Sequence, residues 1–245
     1  MKKILTIFLM LIMVLSLASC SKDDTSGNGG DTNINENQGN ENQGNENQGN
    51  ENQADLDKEL DDAFANIVSG KKVYLTTAGQ SDVDIVQSIM YLADETEEAL
   101  VFYEFGSAVP TEGTIKIATD NMLTASNVEK GSVVFLVTGS SGKGLGYAST
   151  DVAGESARAA GFATAAEAGD ITLIVLHVGG TARRGDQSDP VLNSVCGYAD
   201  LLLVVNEGNG DKFFTNIASS NNVPLYLYSK SAEMTDAFIK MFGLE

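Results

Sequence analysis

The chain has 245 residues, with 34 Asp and Glu against 15 Lys and Arg, a formal charge of −19 at pH 7 and a single histidine. A body this acidic repels nucleic-acid phosphates and offers no polybasic face to an anionic membrane, so neither is an expected partner. The length that follows residue 62 is enough for one domain with a sizeable hydrophobic core.

The N-terminus begins with Lys2 and Lys3 and continues into an apolar run over residues 4–17. That run is shorter than the roughly 20 residues a membrane-spanning helix needs, and it fits the core of a secretory signal. It ends in Leu17-Ala18-Ser19-Cys20, which resembles the lipobox of bacterial lipoproteins. The resemblance implies a signal peptide over residues 1–19, a diacylglycerol on Cys20, and a bacterial cell-envelope location facing outside the cytoplasm. Each acyl CH₂ buried in the bilayer is worth about 0.8 kcal/mol. With Cys20 acylated, Cys196 has no second thiol to pair with, and its apolar neighbourhood points to packing. Residues 20–54 hold the lipidated Cys and a linker with the repeat Asn-Glu-Asn-Gln-Gly at 35–39, 40–44 and 45–49. It has too little apolar surface to fold, and as a flexible coil it would span about 30–35 Å.

Residues 55–245 read as a single α/β domain. Apolar residues Leu56, Leu60, Phe64, Ile67 and Val68 are at helical spacing, with Gly70 as a stop. Six short apolar runs follow, at 73–77, 100–105, 132–138, 172–177, 201–205 and 224–228. Most are apolar at successive positions, as strands covered on both faces must be. A seventh short strand around Ile115 and Ile117 is a further candidate. Helical patterns alternate with the runs. One begins at Ser81-x-x-Asp84, read as a capping box; an alanine-rich one covers 151–168; one starts at Asp189-Pro190; another carries Phe213, Phe214 and Ile217; the last opens at Ser231 and stops at Gly243. The alternation predicts a three-layer α/β sandwich with a mostly parallel sheet of about six strands, flavodoxin-like or Rossmann-like. Strand order is not legible at this level.

Ligands in such sheets bind beyond the carboxyl ends of the strands, near a switch in strand order. The loops there carry the candidate ligand-binding residues Gln80, Ser81, Ser141, Lys143, Gly144, His177, Gly179, Gly180, Arg183 and Arg184. Bare glycine backbone lets amides approach an anion, and arginine pairs bidentately with carboxylate and phosphate. Gly142-Lys143 supplies only the middle of a Walker A loop, because Val137 stands where a glycine is needed and Gly144 where a Ser or Thr is needed. A lone histidine and a lone spare cysteine leave a zinc site short of ligands, and no cofactor is expected. Ser140 or Ser141 with His177 and Asp200 would furnish the parts of a hydrolytic triad, without the Gly-x-Ser-x-Gly elbow.

The motif His177-x-Gly179-Gly180-x-Ala182-Arg183-Arg184-Gly185-x-x-Ser188-Asp189, with Gly142-Lys143-Gly144-Leu145-Gly146 upstream, resembles an uncharacterised family of bacterial extracytoplasmic Rossmann-like domains. The likeness covers roughly residues 71–228 and implies the fold and no activity. The expectation is a lipid-anchored extracytoplasmic domain that binds a small anionic solute, in association with a transporter or another envelope protein. Two alternatives stay open: a hydrolase-like enzyme with His177 as base, and an envelope scaffold whose loops bind another protein.

Overall fold

The computed structural model describes residues 59–94, 102–104, 115–118 and 123–244. The signal peptide, Cys20, the linker and the first residues of the expected leading helix lie outside these.

Seven parallel strands form one sheet: β1 (Val73–Ala78), β2 (Phe102–Glu104), β3 (Ile115–Ala118), β4 (Val133–Thr138), β5 (Thr172–His177), β6 (Leu201–Val205) and β7 (Leu225–Tyr228). Their spatial order is β2-β3-β1-β4-β5-β6-β7. All six runs became strands, and the short candidate around Ile115 became the seventh. Every residue of β1, β4 and β6 is buried, so these strands read as unbroken apolar runs rather than as an alternation. Successive residues nonetheless serve opposite faces. Val133, Phe135 and Val137 belong to one core and Val134 and Leu136 to the other, as the period-2 geometry of a strand requires.

The first core is covered by α1 (Val83–Ala93) and α6 (Thr235–Phe242). Phe238 and Phe242 of α6 meet Phe135 at ring separations of 5.7 and 5.8 Å. The second core is covered by α3 (Val152–Glu167), α4 (Asp189–Val195) and α5 (Phe213–Asn221). Helices on both faces of one parallel sheet make the three-layer α/β sandwich. The helix α2 (Gly142–Tyr147) is only six residues long and follows β4 directly.

Three local expectations are corrected. Residues 59–70 do not form a helix; a single 3-10 turn at Asp62–Phe64 is followed by turns. Asn66 adopts φ 56°, and its N–H donates to the Lys240 carbonyl at 2.9 Å, so the segment is tied to α6 as well as by its own tight turns. Leu60 and Val68 are still buried in the first core. The capping box before α1 is absent as well: Asp82 occupies the N-cap at φ 64° with no side-chain cap bond. Asp189 does not cap α4 either, although Pro190 sits in the first turn, because its carboxylate is drawn to Arg184.

From β1 the chain passes to β2 on one side, and it re-enters on the other side at β4, the opposite neighbour of β1. The switch in strand order therefore lies between β1 and β4, which pair in register from Val73↔Val133 to Ala78↔Thr138. The loops leaving these strands side by side are those that begin at Gly79 and Gly139. Among the described residues no helix is long and apolar enough to cross a membrane.

Candidate functional site

The loop after β1 is held close against the loop after β4. The Gly139 N–H donates to the Ala78 carbonyl at 3.1 Å and the Ser141 N–H to the Gly79 carbonyl at 3.2 Å. Gly79 sits at φ +105°, and a Cβ there would lie 2.6 Å from the Gly139 carbonyl oxygen; only glycine permits both the conformation and the approach. The glycine-rich stretch after β4 is not an open loop throughout. Ser141 caps α2, its Oγ accepting from the Gly144 N–H at 3.0 Å. A Cβ on Gly144 would strike the Gln80 carbonyl oxygen, so α2 rests directly on the β1 loop.

Two residues that sequence reasoning passed over support this junction from below. Glu155 of α3 is fully buried and accepts from the Gly79 N–H at 2.9 Å and from Gln80 Nε2 at 3.2 Å. Arg158, one turn later, pairs with Glu155 at 2.7 Å, and donates to the carbonyls of Thr77 and Leu123. An Arg and a Glu three apart on a helix were visible in the sequence. Their burial was not.

Four of the ten candidate ligand-binding residues, Gln80, Ser141, Lys143 and Gly144, line one hollow of about 280 Å³. Tyr147, which the sequence reading did not single out, completes the lining and is 91% exposed. Lys143 is exposed, and its ammonium makes no ion pair or hydrogen bond among the described residues. Gln80 is nearly buried at φ 62°, and its Oε1 has no partner among the described residues.

The remaining candidates sit elsewhere. Neither arginine lines the hollow. Arg183 Nε lies 3.1 Å from both carboxylate oxygens of Asp82, next to which Ser81 Oγ donates to Asp82 Oδ1 at 2.7 Å. This contact also explains why Gly179 has no room for a side chain: a Cβ there would strike Arg183. Arg184 is more deeply committed. It pairs with Asp189 at 2.8 Å and Asp211 at 3.0 Å, donates to the Gly208 carbonyl, and lies 4.2 Å over the Phe213 ring. The Arg184 hydrogen bond holds the Asp211 carboxyl below the usual carboxylate range. Both guanidinium groups therefore neutralise acids of the chain itself, an arrangement that cross-ties the loops after β1, β5 and β6. Gly180, at φ +58°, abuts the Glu207 carboxylate.

His177 is fully buried at the carboxyl end of β5. Nε2 is 3.1 Å from the Gly180 carbonyl, and the ring packs 5.0 Å from Phe214. Burial holds its pKa below the ordinary imidazole value of 6.5; the Gly180 carbonyl opposes this and the Arg184 charge reinforces it. A neutral ring donating from Nε2 to the carbonyl fits these contacts. The triad suggested by residue types is not assembled. Asp200 accepts from the Leu173 N–H at 2.9 Å, near the start of β5, whereas His177 is its last residue. Cys196 is buried, which pushes its thiol up to about 12. Among the described residues no group of three or more His, Cys, Asp or Glu side chains is placed to hold a metal ion.

The sheet order, the switch point and the hollow beside it define an α/β domain of Rossmann-like architecture. Residues 106–242 match a family described as Domain of unknown function (DUF6305), and the chain belongs to that family. No curated protein and no solved structure matches the chain. The matched span includes Ser141, Lys143, Gly144 and Tyr147 and leaves out β1 with Gln80, although β1 lies between β3 and β4 in the sheet.

Proposed function

We propose that the chain is a lipid-anchored, extracytoplasmic domain of the bacterial envelope that binds a small anionic solute, a carboxylate or phosphate, in the hollow beside the carboxyl ends of β1 and β4. The observation that carries this reading is Lys143. Its ammonium pairs with no carboxylate among the described residues, and it borders a hollow whose other walls are the polar Gln80 and Ser141, the bare backbone of Gly144 and the Tyr147 side chain. An unpaired cation beside hydrogen-bonding groups is the minimum an anion needs, and the switch-point position is where sheets of this kind bind ligands. The Ser141 hydroxyl orients the solute, Lys143 neutralises it, and Gln80 forms the wall beside them. Arg183 and Arg184 contribute by holding the loops in place. A binding role is favoured over one with His177 as base, because that ring is buried and turned to the Gly180 carbonyl. Service to a transporter or another envelope protein is the role that suits such a location.

Thermal unfolding of the purified soluble domain with sodium acetate and with inorganic phosphate tests the proposal. A ligand of the native state raises the midpoint increasingly with concentration. The expected result is such a rise with at least one anion, beyond that of chloride at equal ionic strength, and its loss in Lys143→Gln. No rise with either anion, or an equal rise in the variant, overturns it.

A further inference from the structure

Residues 59–70 lead into β1, and they are fastened to the end of α6. Lys240, whose side chain is only 16% exposed, makes three of the ties: its ammonium donates to the Leu60 carbonyl and pairs with Asp62 at 2.8 Å and Glu59 at 3.8 Å. Backbone bonds run the other way, from the Asn66 N–H to the Lys240 carbonyl at 2.9 Å and from the Val68 N–H to the Met241 carbonyl at 3.4 Å. The Asp61 N–H donates to Tyr226 Oη at 3.1 Å, and Phe64 meets that ring edge to face. The hold is specific but narrow. Of this stretch only Leu60 and Val68 are buried, its one helical piece is a 3-10 turn, and a hollow of about 350 Å³ bordered by Asp62, Asn66 and Lys240 lies against it. The carboxylates that meet Lys240 are exposed, so water screens them. A segment with so few buried contacts opens at lower cost than the whole domain. Opening it leaves α6 in place, because Phe238 and Phe242 pack on Phe135 of the sheet.

Resting on the lipid-anchor part of the reading above, we propose that residues 59–70 are a clasp: they open as one unit with the seven-stranded sheet intact, and they take up tension on the tether before it reaches β1. β1 follows the clasp directly, lies between β3 and β4 in the sheet, and leads at its end to Gln80, a wall of the candidate hollow. A pull applied straight to this strand would disturb that wall. With the clasp closed, the load passes instead through Lys240 into α6, which covers the other side of the first core. Opening the clasp releases at most about 40 Å of chain, at roughly 3.3–3.6 Å per extended residue, before the strand itself is loaded.

Optical-trap pulling of the unacylated chain from Cys20 onward tests the clasp, with one handle on the Cys20 thiol and the other on Glu167→Cys at the exposed end of α3. Cys196 is buried and takes no handle while the domain is folded. The trap supplies the force, so the outcome does not depend on acylation in the cell, which membrane fractionation of Cys20→Ser tests separately. The expected trace has two steps: a first, reversible release of at most about 40 Å, then unfolding of the body at higher force. Lys240→Met keeps an apolar stem and removes the ammonium; it should lower the force of the first step and leave the second unchanged. A single step that releases the whole domain at once overturns the proposal from the parent chain alone, whether or not the variant folds. A first step of equal force in Lys240→Met overturns the role of Lys240 and with it the clasp.

Discussion

Arg184 ties the loop after β5 to the stretch after β6, through Asp189 on its own side and Asp211 and the Gly208 carbonyl on the other, with its flat head over Phe213. Its side chain is only 9% exposed, whereas the two carboxylates are 31% and 61% exposed, so solvent weakens each pair. Arg184→Ala is expected to cost about 2 kcal/mol, below the range for severing a fully buried pair, read as a lower midpoint in urea. An unchanged midpoint would remove the cross-tie. His177 gives a second residue-scale test. The buried ring resists a proton that the unfolded chain accepts below the ordinary value of 6.5. The unfolded state thus binds more protons there, and stability falls as pH drops below that value until the lower folded-state pKa is reached. The slope from this one group is at most about 1.4 kcal/mol per pH unit. Thermal midpoints recorded on either side of neutrality should show the fall, and His177→Asn should flatten it; an identical slope in the variant would contradict the assignment.

At the scale of elements, α3 holds the end of β1 and the loop that carries Gln80 into the lining of the hollow. Glu155 is fully buried against Arg158, Gly79 and Gln80. Glu155→Gln keeps the shape and leaves the Arg158 charge unmatched, a loss of about 3 kcal/mol. It should also weaken anion binding, because Gln80 loses its anchor. A variant as stable as the parent would show that the pair is dispensable. Elements were the most legible part of the sequence, for a physical reason: strands buried on both faces must be apolar at nearly every position, so the runs at 73–77, 132–138 and 201–205 stood out. Helical spacing misled at residues 59–70, because Leu60, Phe64, Ile67 and Val68 can face a core without a helix once Asn66 turns left-handed. The site was half legible. Gly144 announced bare backbone and Lys143 announced charge, whereas the close approach that Gly79 and Gly144 permit between the loops depends on which strands are neighbours and was not legible. The partners of the arginines were hidden, since Arg183 meets Asp82 across 101 residues and only the strand order brings them together. Nothing in the sequence marked Tyr147 as exposed, because a tyrosine four residues after a lysine serves equally well in a core.

For the whole molecule, a charge of −19 resists anions at long range, so affinity must come from local geometry at the hollow. Anchorage is a separate matter. With the acyl chains on Cys20, the full chain expressed in bacteria should sediment with membranes and release on detergent treatment, and Cys20→Ser should move it to the soluble fraction. Equal partition of the two would contradict a lipid anchor. The most direct test of the central claim is a residue-resolved NMR titration of the ¹⁵N-labelled domain with sodium acetate and, separately, with inorganic phosphate. The expected result is a set of amide shifts centred on Gln80, Ser141, Lys143 and Gly144 that saturate with one common dissociation constant and vanish in Lys143→Gln. Shifts centred instead on Gly180, Arg183 and Arg184, or no saturable shift at all, would contradict it.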